Sequence, residues 1–212
     1  MNHILSCCRI ALAQGRYTWR HNKVLNEVAN SLNVRLVENS KTTEEIRQTS
    51  FVKEGEKPRK KIERGNSCYL SSAKDWTMKV DLENRLKIPE EIVVTNLRPD
   101  VIVISKTTKQ LGIVELTVPT EERIEISGEL KRLKYEEIAQ EGRKNGWRVR
   151  IWAIEVGCRG FPAVSLSTFL RDMGYQGGRR KKIVERIGKT AEQASQTLWK
   201  CSFYRDWGTK GF

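Results

Sequence analysis

Two carboxylates are the residues whose placement comes closest to chemistry. Asp100 precedes the run Val101-Ile-Val-Ile104, and Glu115 lies inside Leu111-Gly-Ile-Val-Glu-Leu-Thr-Val118. Between the runs, Lys106-Thr-Thr-Lys109 has the composition of a tight turn. If that turn is centred between Thr107 and Thr108, residues 100 and 115 lie equally far from it and are directly opposed in an antiparallel hairpin. Opposed residues share a face, with Cβ atoms about 5 Å apart. Two like charges so placed in an apolar hairpin are destabilising unless a divalent cation takes their oxygens. The alternative is that both sit at wet strand ends, and Asp100 does begin its strand. Glu115 has Ile113, Val114 and Leu116 around it, and a carboxylate there requires a partner or a metal.

A third group follows in sequence. Lys131 and Tyr135 are four residues apart in a helical stretch, so they share one face, and Ile138 extends that face towards a core. A lysine there is able to offset charge that develops on a phosphate, or to pair with a neighbouring acid on a solvated helix. A fourth group is basic and aromatic: Arg16, Arg20 and His21 beside Tyr17 and Trp19. That combination suits phosphate contacts with base or sugar packing. Trp19 read alone is equally a core anchor, and His21 a hydrogen bonder at a helix start.

The elements that must position these groups alternate in type. Val24, Leu25, Val28, Ala29 and Leu32 fall at helical spacing over residues 23–32, with Thr18 or Asn22 as the cap. Residues 34–37 read as a short strand. Residues 38–64 read as a polar loop or insertion containing the charged run Lys57-Pro-Arg-Lys-Lys61. Trp76, Met78, Val80 and Leu82 alternate as a strand. The two hairpin strands come next, followed by a long helix over 121–144 that Asn145-Gly146 closes. A strand over 147–156 and helices over 163–173 and 179–200 complete the chain. The order is helix, three strands, helix, strand, then further helices, which predicts an α/β fold with a mixed sheet flanked by helices.

Charge narrows the partners. Lys and Arg number 39 against 26 Asp and Glu, a net charge of +13 that attracts polyanions such as nucleic acid. Five scattered cysteines argue for a reducing compartment rather than a disulfide framework. No apolar run reaches bilayer length, and no secretory signal is present, so a nuclear or cytoplasmic protein with no membrane partner is expected.

Taken in order, Arg20-His21, Arg98-Pro99-Asp100, Glu115-Leu-Thr117 and Lys131-Arg-Leu-Lys-Tyr135 resemble the restriction-like, PD-(D/E)xK-type endonuclease domain at the C-terminal end of site-specific non-LTR retrotransposon reverse transcriptase proteins. The resemblance covers roughly residues 3–160. It implies an αβββαβ restriction-endonuclease-like core with Asp100 and Glu115 as ligands of Mg²⁺ or Mn²⁺. It further implies Lys131 as a catalytic lysine carried on the helix, Tyr135 as the tyrosine of a K-x-x-x-Y pattern, and Arg20 with His21 as a basic-histidine motif. The position two residues after Glu115, where standard members carry lysine, is Thr117. His3 and Cys8, with Cys7 as an alternative, resemble the last two ligands of the zinc knuckle that precedes the nuclease; two ligands cannot close a zinc site, so no zinc is expected. No reverse transcriptase active-site sequence is present. The implied organisation is a knuckle remnant over 1–14, a nuclease core over 15–160 and a basic helical extension over 161–212.

The implied activity is metal-dependent nicking of double-stranded DNA at an insertion target. Arg16, Arg20, His21, Arg98, Arg179, Arg180, Lys181 and Lys182 are the expected nucleic-acid contacts. RNA of the element is a second possible partner. One alternative is a nucleic-acid-binding remnant that has lost catalysis; another is a structural protein whose charge serves solubility.

Overall fold

The β-branched run and the strand after the turn pair as a hairpin because both are apolar on both faces and a four-residue turn joins them. In the computed structural model, which describes residues 3–41, 68–83, 85–204 and 207–208, β2 is Val101–Ser105 and β3 is Gln110–Thr117. They are antiparallel in the register Val101↔Val114 through Ser105↔Gln110. That register centres the turn between Thr107 and Thr108, and its continuation by one residue sets Asp100 against Glu115. Asp75 holds the turn. Its carboxylate accepts from the Ser105 hydroxyl (2.6 Å) and from the Thr107 amide and hydroxyl, and these bonds hold its pKa down to about 2.

β1 (Thr77–Val80) joins β2 antiparallel, and β4 (Arg148–Glu155) joins β3 in parallel, giving one four-stranded mixed sheet in the order β1-β2-β3-β4. A parallel pair needs a crossover, and α3 (Ile124–Lys144) supplies it after a single 3₁₀ turn at Glu121–Arg123. Asn145 and Gly146 end α3; Gly146 takes the left-handed φ of +80° that the stop requires.

Alternate residues of the hairpin feed two cores. Val101, Val103, Val114 and Leu116 face Val24, Val28 and Leu32 of α2 (Arg16–Lys41), together with α4 (Val164–Asp172) and α5 (Gly177–Cys201). Ile102, Ile104, Leu111 and Ile113 face Tyr135, Ile138 and Ala139 of α3. Helices therefore cover both faces of the hairpin, which explains why its strands read as continuous apolar runs.

Three expectations change. The helix expected over 23–32 extends to Arg16–Lys41 and absorbs the strand expected over 34–37. Leu36 continues the buried stripe of Val24, Val28 and Leu32 at intervals of four, and this packing overrides the strand preference of Val34 and Val37. Most of the polar stretch over 38–64, including Lys57 to Lys61, lies outside the described residues. The segment 161–212 is no separate extension: Leu166, Phe169, Leu170, Ile183 and Ile187 belong to the same core as β2 and β3. The N-terminal segment also joins the fold, since Cys8 and Ala11 of α1 (Arg9–Ala13) and its approach pack against Trp207. His3 and Cys7 bound a helical turn, with Cys7 exposed and Cys8 buried. No described helix is long and apolar enough to cross a membrane.

Candidate functional site

Asp100, Glu115, Lys131 and Tyr135 meet where β2 begins and β3 ends, beneath α3. The geometry follows from two periods. The sheet alternation turns Glu115 to the side of Ile113 and Leu111, which is the face α3 covers. Four-residue spacing on α3 turns Lys131 and Tyr135 down onto that face. Lys131 Nζ lies 2.5 Å from Glu115 Oε2; Glu115 is 1% exposed and the lysine side chain 29%. Tyr135 is fully buried; its hydroxyl donates to the Arg98 carbonyl at 2.9 Å and also lies against the Glu115 carboxylate, whose charge it favours. Burial and the neighbouring Glu115 carboxylate push the Tyr135 phenol pKa up, so it remains a neutral donor.

The two carboxylates have opposite environments. Burial, then the charge of Asp100, push Glu115 up, and Lys131 opposes both. Burial also pushes on Asp100, but the His21 ring, the Leu116 amide at 2.7 Å and the Lys131 charge outweigh it and hold Asp100 below the usual carboxylate range. His21 Nε2 stands 3.3 Å from Asp100 Oδ2 and 3.2 Å from the Leu116 carbonyl, while Nδ1 faces Asn22 Oδ1 at 3.2 Å. Both ring nitrogens thus face oxygen acceptors. Burial disfavours the imidazolium, yet the Asp100 contact prevails and raises the His21 pKa above its ordinary 6.5.

A divalent cation fits this donor set. Glu115 Oε1 is buried with no hydrogen-bond partner, an arrangement costly for a carboxylate oxygen unless a ligand takes it. Thr117 Oγ1, two residues along the same face, is likewise buried and unpartnered. Hard cations that retain several waters need only one or two protein carboxylates. Among the described residues no three His, Cys, Asp or Glu side chains gather into a metal cluster, so Asp100 and Glu115 would be the whole acidic set.

The expected nucleic-acid contacts separate into four groups. Arg16 and Arg20 are corrected to structural residues. Arg20, 4% exposed, donates to the carbonyls of Leu5 (2.9 Å) and Val118 (3.0 Å) and to Ser195 Oγ. Arg16, 3% exposed, donates to the Trp207 carbonyl and stacks 3.5 Å from that ring's centroid. Both are withdrawn from any phosphate because they lie on the buried stripe of α2. His21 faces Asp100. Arg179 is exposed but clasps Glu38 through both oxygens and lies over Tyr175, tying α5 to α2. Arg98, Lys181 and Lys182 present exposed side chains, and Arg180 is half-buried.

One buried acid escaped the reading of the sequence. Glu155, 6% exposed, shares the α3 face through the alternation Ile151, Ala153, Glu155 and pairs in register with Thr117. It accepts from Ser165 Oγ, and Gly128 of α3 leaves room for its carboxylate. Comparison with known proteins gives no match, either to protein-family models or to curated proteins.

Proposed function

We propose that the chain is a metal-dependent DNA endonuclease domain with a restriction-endonuclease-like core. The single observation that carries this reading is the close approach of Asp100 and Glu115 at the open end of a buried hairpin, with Lys131 on Glu115 and Glu115 Oε1 buried without a hydrogen-bond partner. The element order from α2 through β4 is the αβββαβ order that the sequence resemblance implies. Asp100 and Glu115 would hold Mg²⁺ or Mn²⁺, which supplies Lewis-acid polarisation of a phosphodiester and a more acidic water. Lys131, brought from the helix rather than from position 117, offsets charge on the phosphate as the bond to the leaving oxygen breaks. His21 orients Asp100, and Tyr135 locks α3 to the strand entry through the Arg98 carbonyl. The surplus of basic residues suits double-stranded DNA as substrate, with RNA as a second polyanion.

A second reading has an observation of its own. Lys131 and His21 already answer the two carboxylates, so the pair is electrostatically tolerable without a cation, as in a nucleic-acid-binding remnant that no longer cuts. Supercoiled plasmid incubated with Mg²⁺, Mn²⁺ or chelator separates the two. Nicking that requires the cation and falls at least about 100-fold in Asp100→Ala and Lys131→Ala supports the nuclease. Salt-sensitive plasmid binding with no nicking under any cation overturns it in favour of the remnant.

A further inference from the structure

A cavity of about 310 Å³ opens on the sheet face opposite the carboxylates, where α4 ends and α5 begins. Its lining includes Arg171, Asp172, Gly174, Gly177 and Arg180. The acid is already committed: Asp172 Oδ2 takes Arg150 at 2.5 Å and the Trp152 indole at 3.1 Å. Arg171 approaches its other oxygen only to 3.9 Å, and Arg180 makes no ion pair among the described residues. Of the two arginines on the lining, Arg171 keeps only that long ion pair with Asp172, and Arg180 is the one whose charge is left unanswered among the described residues. Planar guanidinium forks match phosphate oxygens, two bonds at a time. The volume lies at the small end of ligand sites, room for one nucleotide's phosphate and sugar rather than for a duplex.

We infer that this cavity binds a backbone phosphate of a nucleic-acid strand, away from the proposed cutting site. Arg150 pairs with Gly112, three residues before Glu115 on β3, so the cavity is offset by about 10 Å along the strand and by the thickness of the sheet. It therefore grips a flank of the substrate or an emerging single strand, not the scissile phosphate. The inference rests on the nucleic-acid part of the reading above and is independent of whether the chain cuts.

The test uses the whole chain with two probes, inorganic phosphate and a short single-stranded oligodeoxynucleotide, read by the amide resonances of Gly174 and Gly177 and the Trp152 indole. The oligonucleotide shifts all three at far lower concentration than phosphate does. Arg180→Glu weakens oligonucleotide binding about tenfold and lowers the salt slope by about one, and Arg180→Gln, which keeps the side chain's bulk, weakens it about threefold. Lys189→Glu, an equal charge change elsewhere on α5, leaves the three resonance shifts in place. Shifts with phosphate but none with oligonucleotide overturn the assignment, as does an equal loss of the shifts in Lys189→Glu. Plasmid nicking in parallel keeps the claims apart: a silent cavity with retained nicking sinks this inference alone, and cavity shifts without nicking sink only the nuclease.

Discussion

Glu115 is almost wholly buried, and the ammonium of Lys131, 2.5 Å away, answers its charge. Removing one member of such a pair leaves a buried charge with no counterion, which costs about 3–5 kcal/mol. Because the lysine is partly exposed, the lower end applies to Lys131→Met, about 3 kcal/mol where Glu115 is ionised. The carboxyl has an escape, since burial and Asp100 already raise its pKa and the loss of Lys131 raises it further. A carboxyl whose folded pKa lies above its unfolded value adds stability below the unfolded value and loses it as pH rises through the folded one. The variant should therefore match the wild type closely near pH 4 and fall progressively behind towards pH 8. Urea unfolding at several pH values measures this, and a pH-independent deficit would show that the pair is only a packing contact. Glu115→Gln combined with Lys131→Met recovers most of the deficit at pH 8, because the charge that needed an answer is gone.

At the scale of elements, the seat of α3 decides whether Lys131 reaches the sheet at all. One turn before the lysine, Gly128 lies against the Glu155 carboxylate, and a Cβ there would come within 2.9 Å of the carboxyl carbon. Alanine in a helix interior is ordinarily favoured over glycine by about 0.8–1.0 kcal/mol. Overpacking costs about 1–3 kcal/mol, and Ser165 pins the carboxylate so that it cannot simply withdraw. Gly128→Ala should therefore destabilise the wild type by about 1 kcal/mol, yet stabilise a Glu155→Ala background by a similar amount. Thermal melts of the four proteins read that change of sign; destabilisation in both backgrounds would mean that the glycine serves some other end. The hairpin register was legible in the sequence because its turn composition and strand lengths leave one centre, and α3 was legible through its period and its Asn-Gly stop. The full extent of α2 was not. Residues 16, 20, 24, 28, 32 and 36 form one buried stripe at intervals of four, but two members are arginines, a residue type that is seldom fully buried. Spacing placed Arg16 and Arg20 inside while their chemistry suggested a surface, and the spacing was the better guide. Glu155 was hidden for the related reason that a carboxylate at the end of a strand reads as wet.

For the molecule as a whole, those two arginines join the ends of the chain to the sheet. The Arg20 guanidinium binds the carbonyl of Leu5 near the N-terminus, that of Val118 where β3 ends, and the hydroxyl of Ser195 on α5. Arg16 does the same for Trp207, beyond the end of α5. The N-terminal turn, the hairpin and the last helix are thus joined by one cation next to His21, so the orientation of the carboxylates depends on segments far away in sequence. Hydrogen bonds to charged groups contribute about 1.5–3 kcal/mol each, and truncation also leaves buried carbonyls unanswered. Arg20→Ala should cost about 3 kcal/mol or more in urea unfolding and release the N-terminal turn to protease. If Arg20 only joins these segments, the folded fraction binds oligonucleotide with an unchanged salt slope, since no phosphate contact is lost. If Arg20 instead met phosphate, stability would barely change and the slope would fall by about one. The two measurements move in opposite directions under the two roles, and the three buried bonds of Arg20 favour the loss of stability.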